Sequence, residues 1–175
     1  MGRILGATDL GLYQMAYKIS ILPLTEISNV VSSVAFPVYT KISGDTKRLK
    51  KGFMKTVVLV FLGAFLLGAI IFFFPEQIVR LLLGDQWLTI IPVLKVLIIY
   101  GVLRTISGPA SALFLSLNKQ KFVSGMVFLR FISLAVFIYP FVIAFGLVGA
   151  GYAQLLSVIV ETPLLFYLMS KSFRK

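Results

Sequence analysis

Residues 56–74 read TVVLVFLGAFLLGAIIFFF, a stretch without one charged or amide side chain. A helix needs about 20 predominantly apolar residues to cross the roughly 30 Å hydrocarbon core of a bilayer, and this stretch supplies them. Inside hydrocarbon a backbone N–H or C=O finds no water, so the segment must satisfy its own backbone, as a helix does. A soluble core of this size would interleave apolar faces with polar ones, whereas here the apolar runs continue unbroken. Composition agrees: 59% of the 175 residues are hydrophobic, 13% are charged and the mean hydropathy is +1.00. Ordinary soluble domains carry about 25% charged residues. The chain is expected to be all-α, a polytopic membrane helix bundle.

Hydropathy divides it into about five spans, at 8–41, 53–74, 88–117, 122–144 and 148–169, within a single membrane domain over residues 1–175. The first would be on the order of 50 Å long, so it must tilt, bend or project. Between the second and third lies PEQIVRLLLGDQW, a short amphipathic piece with Trp87 and Arg80 as interface anchors. Pro23, Pro92, Pro109, Pro140 and Pro163 fall within spans. Each removes a backbone donor, so each is an expected kink, and Pro23 would bend the first span between Lys18 and Glu26. Proline is common in membrane helices generally, but broken helices also line cavities in transporters. One internal echo accompanies this: Gly11, Gln14 and Pro23 share the spacing of Gly151, Gln154 and Pro163.

Charge in the loops sets orientation, because cations near membrane ends are retained on the cytoplasmic side. Lys41, Lys47, Arg48, Lys50, Lys51 and Lys55 follow the first span against one acid, Asp45. Lys119 and Lys121 follow the third, and Lys171, Arg174 and Lys175 end the chain. The alternate ends are nearly neutral, so the N-terminus is expected outside and the C-terminus in the cytoplasm. The net charge of +11 is then a topology signal together with attraction to anionic head groups. Nucleic acid is not an expected partner, since the cations sit in short loops at membrane level without a recognition motif. The opening residues, MGRILGATDLG, lack a secretory leader's pattern. Cysteine and histidine are absent, which removes thiol and imidazole catalysis and the usual zinc, copper and haem ligands. No metal or other cofactor is expected.

Lys18, Glu26, Lys95, Arg104, Arg130 and Glu161 fall inside the spans. A charge at a helix centre costs about 2.5 to 3.5 kcal/mol on insertion scales, so these groups should face a bundle interior or a wet cavity. Arg130 and Glu161 sit at matching depth, roughly 12 Å from the cytoplasmic side, and form a candidate structural ion pair. Arg104 lies roughly 20 Å deep and is the leading candidate for a cation lining a cavity, with Arg130, Lys18 and Glu26 as further candidates. Lys18 and Lys95, nearer the outer interface, have a simpler reading: a lysine there can snorkel its ammonium to the head groups.

From GRILGATDLGLYQMAYKISILPLTEISNVVSSVAFPVYTKISGD onward the sequence resembles the polysaccharide transport family of the multidrug/oligosaccharidyl-lipid/polysaccharide exporter superfamily. The resemblance continues in order through PEQIVRLLLGDQW, PVLKVLIIYGVLR, the LNKQ turn and FGLVGAGYAQLLS. It implies a fourteen-helix, two-lobe transporter, of which this chain resembles helices eight to twelve, part of the C-terminal lobe. That register also puts the N-terminus outside. It implies a fragment, a location in the cytoplasmic (inner) membrane, and O-antigen or lipopolysaccharide assembly as the setting.

The function so implied is flipping of a polyprenyl-pyrophosphate-linked oligosaccharide from the cytoplasmic to the outer leaflet, with no enzymatic step. The lipid bilayer and that substrate are the expected partners, and glycan polymerase machinery is a further one. An anionic pyrophosphate suits arginine, whose planar fork pairs with phosphate oxygens. The rival expectations are small-molecule efflux, as in sister families, and a structural membrane subunit without transport of its own. A glycan-assembly enzyme would need an acidic pair or cluster that the spans do not offer.

Overall fold

The computed structural model describes residues 2–173. Arg174 and Lys175 of the basic tail, and the Arg3 side chain, lie outside the described residues. Every regular element is helical: α1 (Gly2–Lys41), α2 (Thr46–Phe73), α3 (Pro75–Leu83), a 3₁₀ turn (Asp85–Ile90), α4 (Ile91–Arg104), α5 (Ser107–Ser116) and α6 (Gln120–Phe173). Four helical stretches are long and apolar enough to cross a membrane. The last, α6, has 54 residues, which would extend it roughly 80 Å if straight. Gly146 breaks it with φ 56° and ψ −132°, a conformation open to glycine and strained for other residues. Residues 120–145 and 147–173 are therefore two arms, which brings the apolar segments able to cross a membrane to five among the described residues.

Local chemistry sets the ends. Asp45 caps α2 by accepting hydrogen bonds from the Lys47 and Arg48 amides at 3.0 and 3.1 Å, so the helix starts at Thr46, ahead of its apolar run. Pro75 and Pro92 occupy first turns, where a missing N–H costs nothing. At Gly84, with φ 91°, α3 gives way to the 3₁₀ turn, and an exposed Arg80–Asp85 salt bridge of 2.9 Å spans the joint. Pro23, Pro140 and Pro163 lie within helices that continue through them. The non-helical breaks fall on glycines: Gly6 in α1, with φ 88°, and Gly146 in α6. These precede Gly11 and Gly151 by the same spacing, so the repeated pattern of Gly11, Gln14, Pro23 and Gly151, Gln154, Pro163 extends to the turn before it.

Helix α4 is the centre of the bundle and packs against α1, α2 and α6, while α5 packs against α1 and α6. The core is in two parts. One cluster holds Ile21 of α1, Leu94, Leu97 and Tyr100 of α4, and Ala150 and Val158 of α6. The other holds Tyr39 of α1, Phe53 of α2, Leu113 and Phe114 of α5, and Met126 and Leu165 of α6. Along each of α1, α4 to α5, and both arms of α6, the chain passes from one cluster to the other. The segments in between (22–34, 101–109, 127–141 and 159–164) form an intermediate layer, and Arg104 of α4 and Arg130 and Glu161 of α6 lie in it.

The two ends differ in charge. The turns 42–45 and 117–119 and the last turn of α6 gather beside the second cluster, where Tyr39, Phe53 and Phe173 pack as tilted rings with centroids 6.4 and 6.0 Å apart. That end carries Lys41, Lys47, Arg48, Lys50, Lys51, Lys119, Lys121 and Lys171. The opposite end, formed by α3, the 3₁₀ turn and the Gly146 break, carries Glu76, Arg80 and Asp85.

Candidate functional site: a polar cavity between two apolar clusters

Helix α1 presents Thr25, Ser28, Asn29, Ser32 and Ser33 at spacings of three and four, which places them on one face. Opposite stand Thr105, Ser107 and Ser111 from the α4 to α5 junction. Between them opens a cavity of about 790 Å³, lined by these residues together with Tyr17, Glu26, Arg104, Arg130 and Glu161. Its ends are apolar: Ile21 and Leu22 on one side, Phe36, Ala112, Leu115 and Met126 on the other.

One backbone break builds this cavity. Pro109 has no N–H, so the Thr105 carbonyl four residues earlier loses its usual helical donor. Helix α4 ends there and α5 begins at Ser107. The freed carbonyl accepts instead from Ser28 Oγ of α1, at 2.8 Å in a buried position. Gly108 makes the approach possible: a Cβ there would collide with Ser28 Oγ and lie 3.0 Å from Ser32 Oγ. The Ser32 hydroxyl is buried and has no hydrogen-bond partner among the described residues, so it is available to a group entering the cavity. Thr25, Ser33 and Ser111 donate back to carbonyls of their own helices, at 3.0, 2.8 and 2.8 Å, which leaves their oxygen lone pairs to accept.

The charged groups are held in three ways. Arg104 Nη1 donates to the hydroxyls of Tyr17 and Tyr100, both at 3.1 Å, and the guanidinium lies 5.8 Å from the Tyr100 ring centroid. Among the described residues it forms no salt bridge, so its closest partners are phenols and a π face. Arg130 Nη1 is 3.2 Å from Glu161 Oε2, joining the two arms of α6, and Glu161 is only 2% exposed. A second void of about 40 Å³ touches Glu161 from the side of Ile106 and Thr162. Glu26 is exposed on the cavity rim.

Of the residues expected to line a cavity, Arg104, Arg130 and Glu26 share this one, whereas Lys18 is exposed on α1 outside the lining. Lys95 lies 5.5 Å from the Phe72 ring centroid, away from the cavity. The lining thus holds two arginines and two glutamates, with eight hydroxyl side chains and one amide interleaved with apolar residues. Sequence reasoning weighted the charges and passed over the hydroxyls. The three- and four-residue spacing of Thr25, Ser28, Asn29, Ser32 and Ser33, and the four-residue spacing of Ser107 and Ser111, was the signal available. The partnering of Arg104 by Tyr17 and Tyr100 joins residues far apart in sequence and left none.

The family model described as "Polysaccharide biosynthesis protein" matches residues 1–92. Among curated relatives, the Lipopolysaccharide biosynthesis protein WzxC of Escherichia coli (strain K12) is 30% identical over 98% of this chain and 35% of its own length. The Teichuronic acid biosynthesis protein TuaB of Bacillus subtilis (strain 168) is 30% identical over 77% of this chain and 29% of its own. The Amylovoran biosynthesis protein AmsL of Erwinia amylovora is 26% identical over 65% of this chain and 29% of its own. The chain spans about a third of the length of these relatives. No solved structure matches it significantly.

The Arg130–Glu161 pair can be weighed by a double-mutant cycle in the detergent-solubilised chain. Arg130→Met leaves a buried carboxylate without its cation and should cost about 3–5 kcal/mol of unfolding free energy. Adding Glu161→Gln should recover most of that loss. Additive losses in the double variant would show that the two side chains do not act as a pair.

Proposed function

The chain belongs to the polysaccharide biosynthesis protein family and is a multi-pass membrane protein, and from that premise we propose that it is part of a larger transporter that moves a lipid-linked oligosaccharide across the cytoplasmic membrane. The observation that carries the reading is the cavity between the two apolar clusters, whose wall carries eight hydroxyl side chains and one amide. Sugars are polyols, and each hydroxyl needs a donor or acceptor when it leaves water. Ser28, Ser32, Ser33, Ser107, Ser111, Thr25 and Asn29 supply such groups, and the apolar side chains between them can pack against the C–H faces of a sugar ring.

The linking phosphate of such a lipid falls to Arg104. Its Nη2 and Nε donors are not used by Tyr17 or Tyr100, and a guanidinium without a salt bridge among the described residues suits an anion. Arg130 serves packing first, because Glu161 already occupies it. Glu26 is the candidate for ion coupling, on its position at the rim. Lys18 keeps the interfacial reading, with its ammonium among head groups. The names of relatives from lipopolysaccharide and teichuronic acid biosynthesis support a glycan as cargo. No hydrolytic or transferase step is assigned, and glycan polymerase machinery is the partner proposed downstream.

The basic end is assigned to the cytoplasm and the end bearing Asp85 to the outside, with the N-terminus outside. Two experiments test these assignments. In proteoliposomes holding the complete transporter, Arg104→Ala should lower the flipping rate at least about tenfold, the loss of one charge-assisted contact, with insertion unchanged; a normal rate removes Arg104 from the substrate's path. The chain has no cysteine, so Lys50→Cys and Asp85→Cys can be labelled cleanly in intact cells. A membrane-impermeant maleimide should reach position 85 and not position 50, and the reverse pattern overturns the orientation.

A further inference from the structure

The basic end contains an electrostatic arrangement that the bundle does not balance from within. On α2, Lys47, Lys51 and Lys55 repeat at four-residue intervals, and Arg48 and Lys50 flank them. At 100° per residue Lys47, Arg48, Lys51 and Lys55 fall within about 100° of one another around the axis, with Lys50 at the edge. Leu49 and Phe53 turn the other way, into the second apolar cluster, at 2% and 0% exposure. All five cations are exposed.

Two local terms oppose this stripe. Like charges at four-residue spacing repel each other on a helix surface. They occupy the first turns of α2, where the helix dipole is positive and anions are favoured, and the first turn contains no acid. Asp45 offsets part of this, through its cap and a 3.3 Å contact with Arg48. Lys47, Lys50, Lys51 and Lys55 form no salt bridge among the described residues. Lys41 and Lys171, by contrast, lie in the last turns of α1 and α6, where cations are stabilised. The adverse charge is therefore concentrated on α2.

Position identifies what balances it. The uncharged run of α2 begins at Thr56, so residues 46–55 form about 15 Å of helix beyond the hydrocarbon, enough to traverse the head-group layer. Lys119, Lys121 and Lys171 border the same cluster on neighbouring elements. We propose that the face of α2 bearing Lys47, Arg48, Lys51 and Lys55 is a binding surface for anionic phospholipid head groups, whose phosphates supply the counter-charge that orders residues 46–55. Phosphates at this depth are held by the bilayer at the level of the stripe, which no soluble ligand needs to be. The site is separate from the cavity and independent of the cargo proposed for it.

Hydrogen exchange at the amides of residues 46–55 reads this directly, with the chain in nanodiscs of phosphatidylcholine alone or with one part in three phosphatidylglycerol. Anionic discs should slow exchange at least about tenfold, an effect weakened by 0.5 M salt. The variant Lys47→Gln, Lys51→Gln, Lys55→Gln keeps good helix formers at exposed sites and should exchange alike in both discs. Arg80→Gln, at the opposite end, should leave the difference between discs intact. Equal exchange of the unaltered chain in both discs would overturn the proposal and leave the cations as an orientation signal only. Equal slowing by soluble polyphosphate in neutral discs would also overturn it, in favour of a soluble polyanion.

Discussion

The hydrogen bond from Ser28 Oγ to the Thr105 carbonyl, 2.8 Å long, is the contact on which the interior of the bundle depends. Hydrocarbon tolerates no unsatisfied backbone carbonyl, and Pro109 guarantees one at Thr105. With a donor supplied by α1, the chain can end α4, turn at residues 105–106 and start α5 without exposing the break to lipid. The same contact draws the serine face of α1 against Gly108 and the start of α5, and the cavity opens beside it. A helix break, a glycine and a hydroxyl thus form one device that places polar groups between the two apolar clusters.

The two apolar clusters give that device its setting. Each crossing segment that contributes to the cavity is anchored at both ends in close-packed side chains, so the polar layer is held between rigid blocks. The charges it contains are restrained to different degrees: Arg130 and Glu161 tie the arms of α6 together, while Arg104 is steadied by two phenols. On the proposed reading, a glycan here would meet hydroxyls from both walls, apolar patches between them, and one arginine without a salt bridge among the described residues. That division suits a molecule that is mostly polyol with one anionic linkage.

Much of this was legible in the sequence. The length of the apolar runs dictates helices, and the Asp45 cap, the glycine turns and the loop cations mark their ends. The charges of α4 and α6 stood out because lipid makes them costly. The serine face of α1 was legible in principle, but isolated hydroxyls are cheap in a membrane helix, since Ser33 and Thr25 can bond to their own turn, so they drew no attention. The partners of Arg104 were beyond reach, because only packing brings Tyr17 of α1 beside Tyr100 of α4. The balance of two arginines with two glutamates also needed the structure, which turns Lys18 away from the cavity and Glu26 toward its rim.

The central claim is that the layer between the clusters is a water-filled cavity and not a dry packing seam. Single cysteines placed by Ser32→Cys and Ser111→Cys in the otherwise cysteine-free chain, with Ala64→Cys as the buried reference, test it by reaction with a small charged methanethiosulfonate in liposomes. Positions 32 and 111 should react readily, position 64 should not, and inorganic pyrophosphate should slow the reaction at the cavity positions. Reaction at positions 32 and 111 as slow as at position 64 would contradict the account.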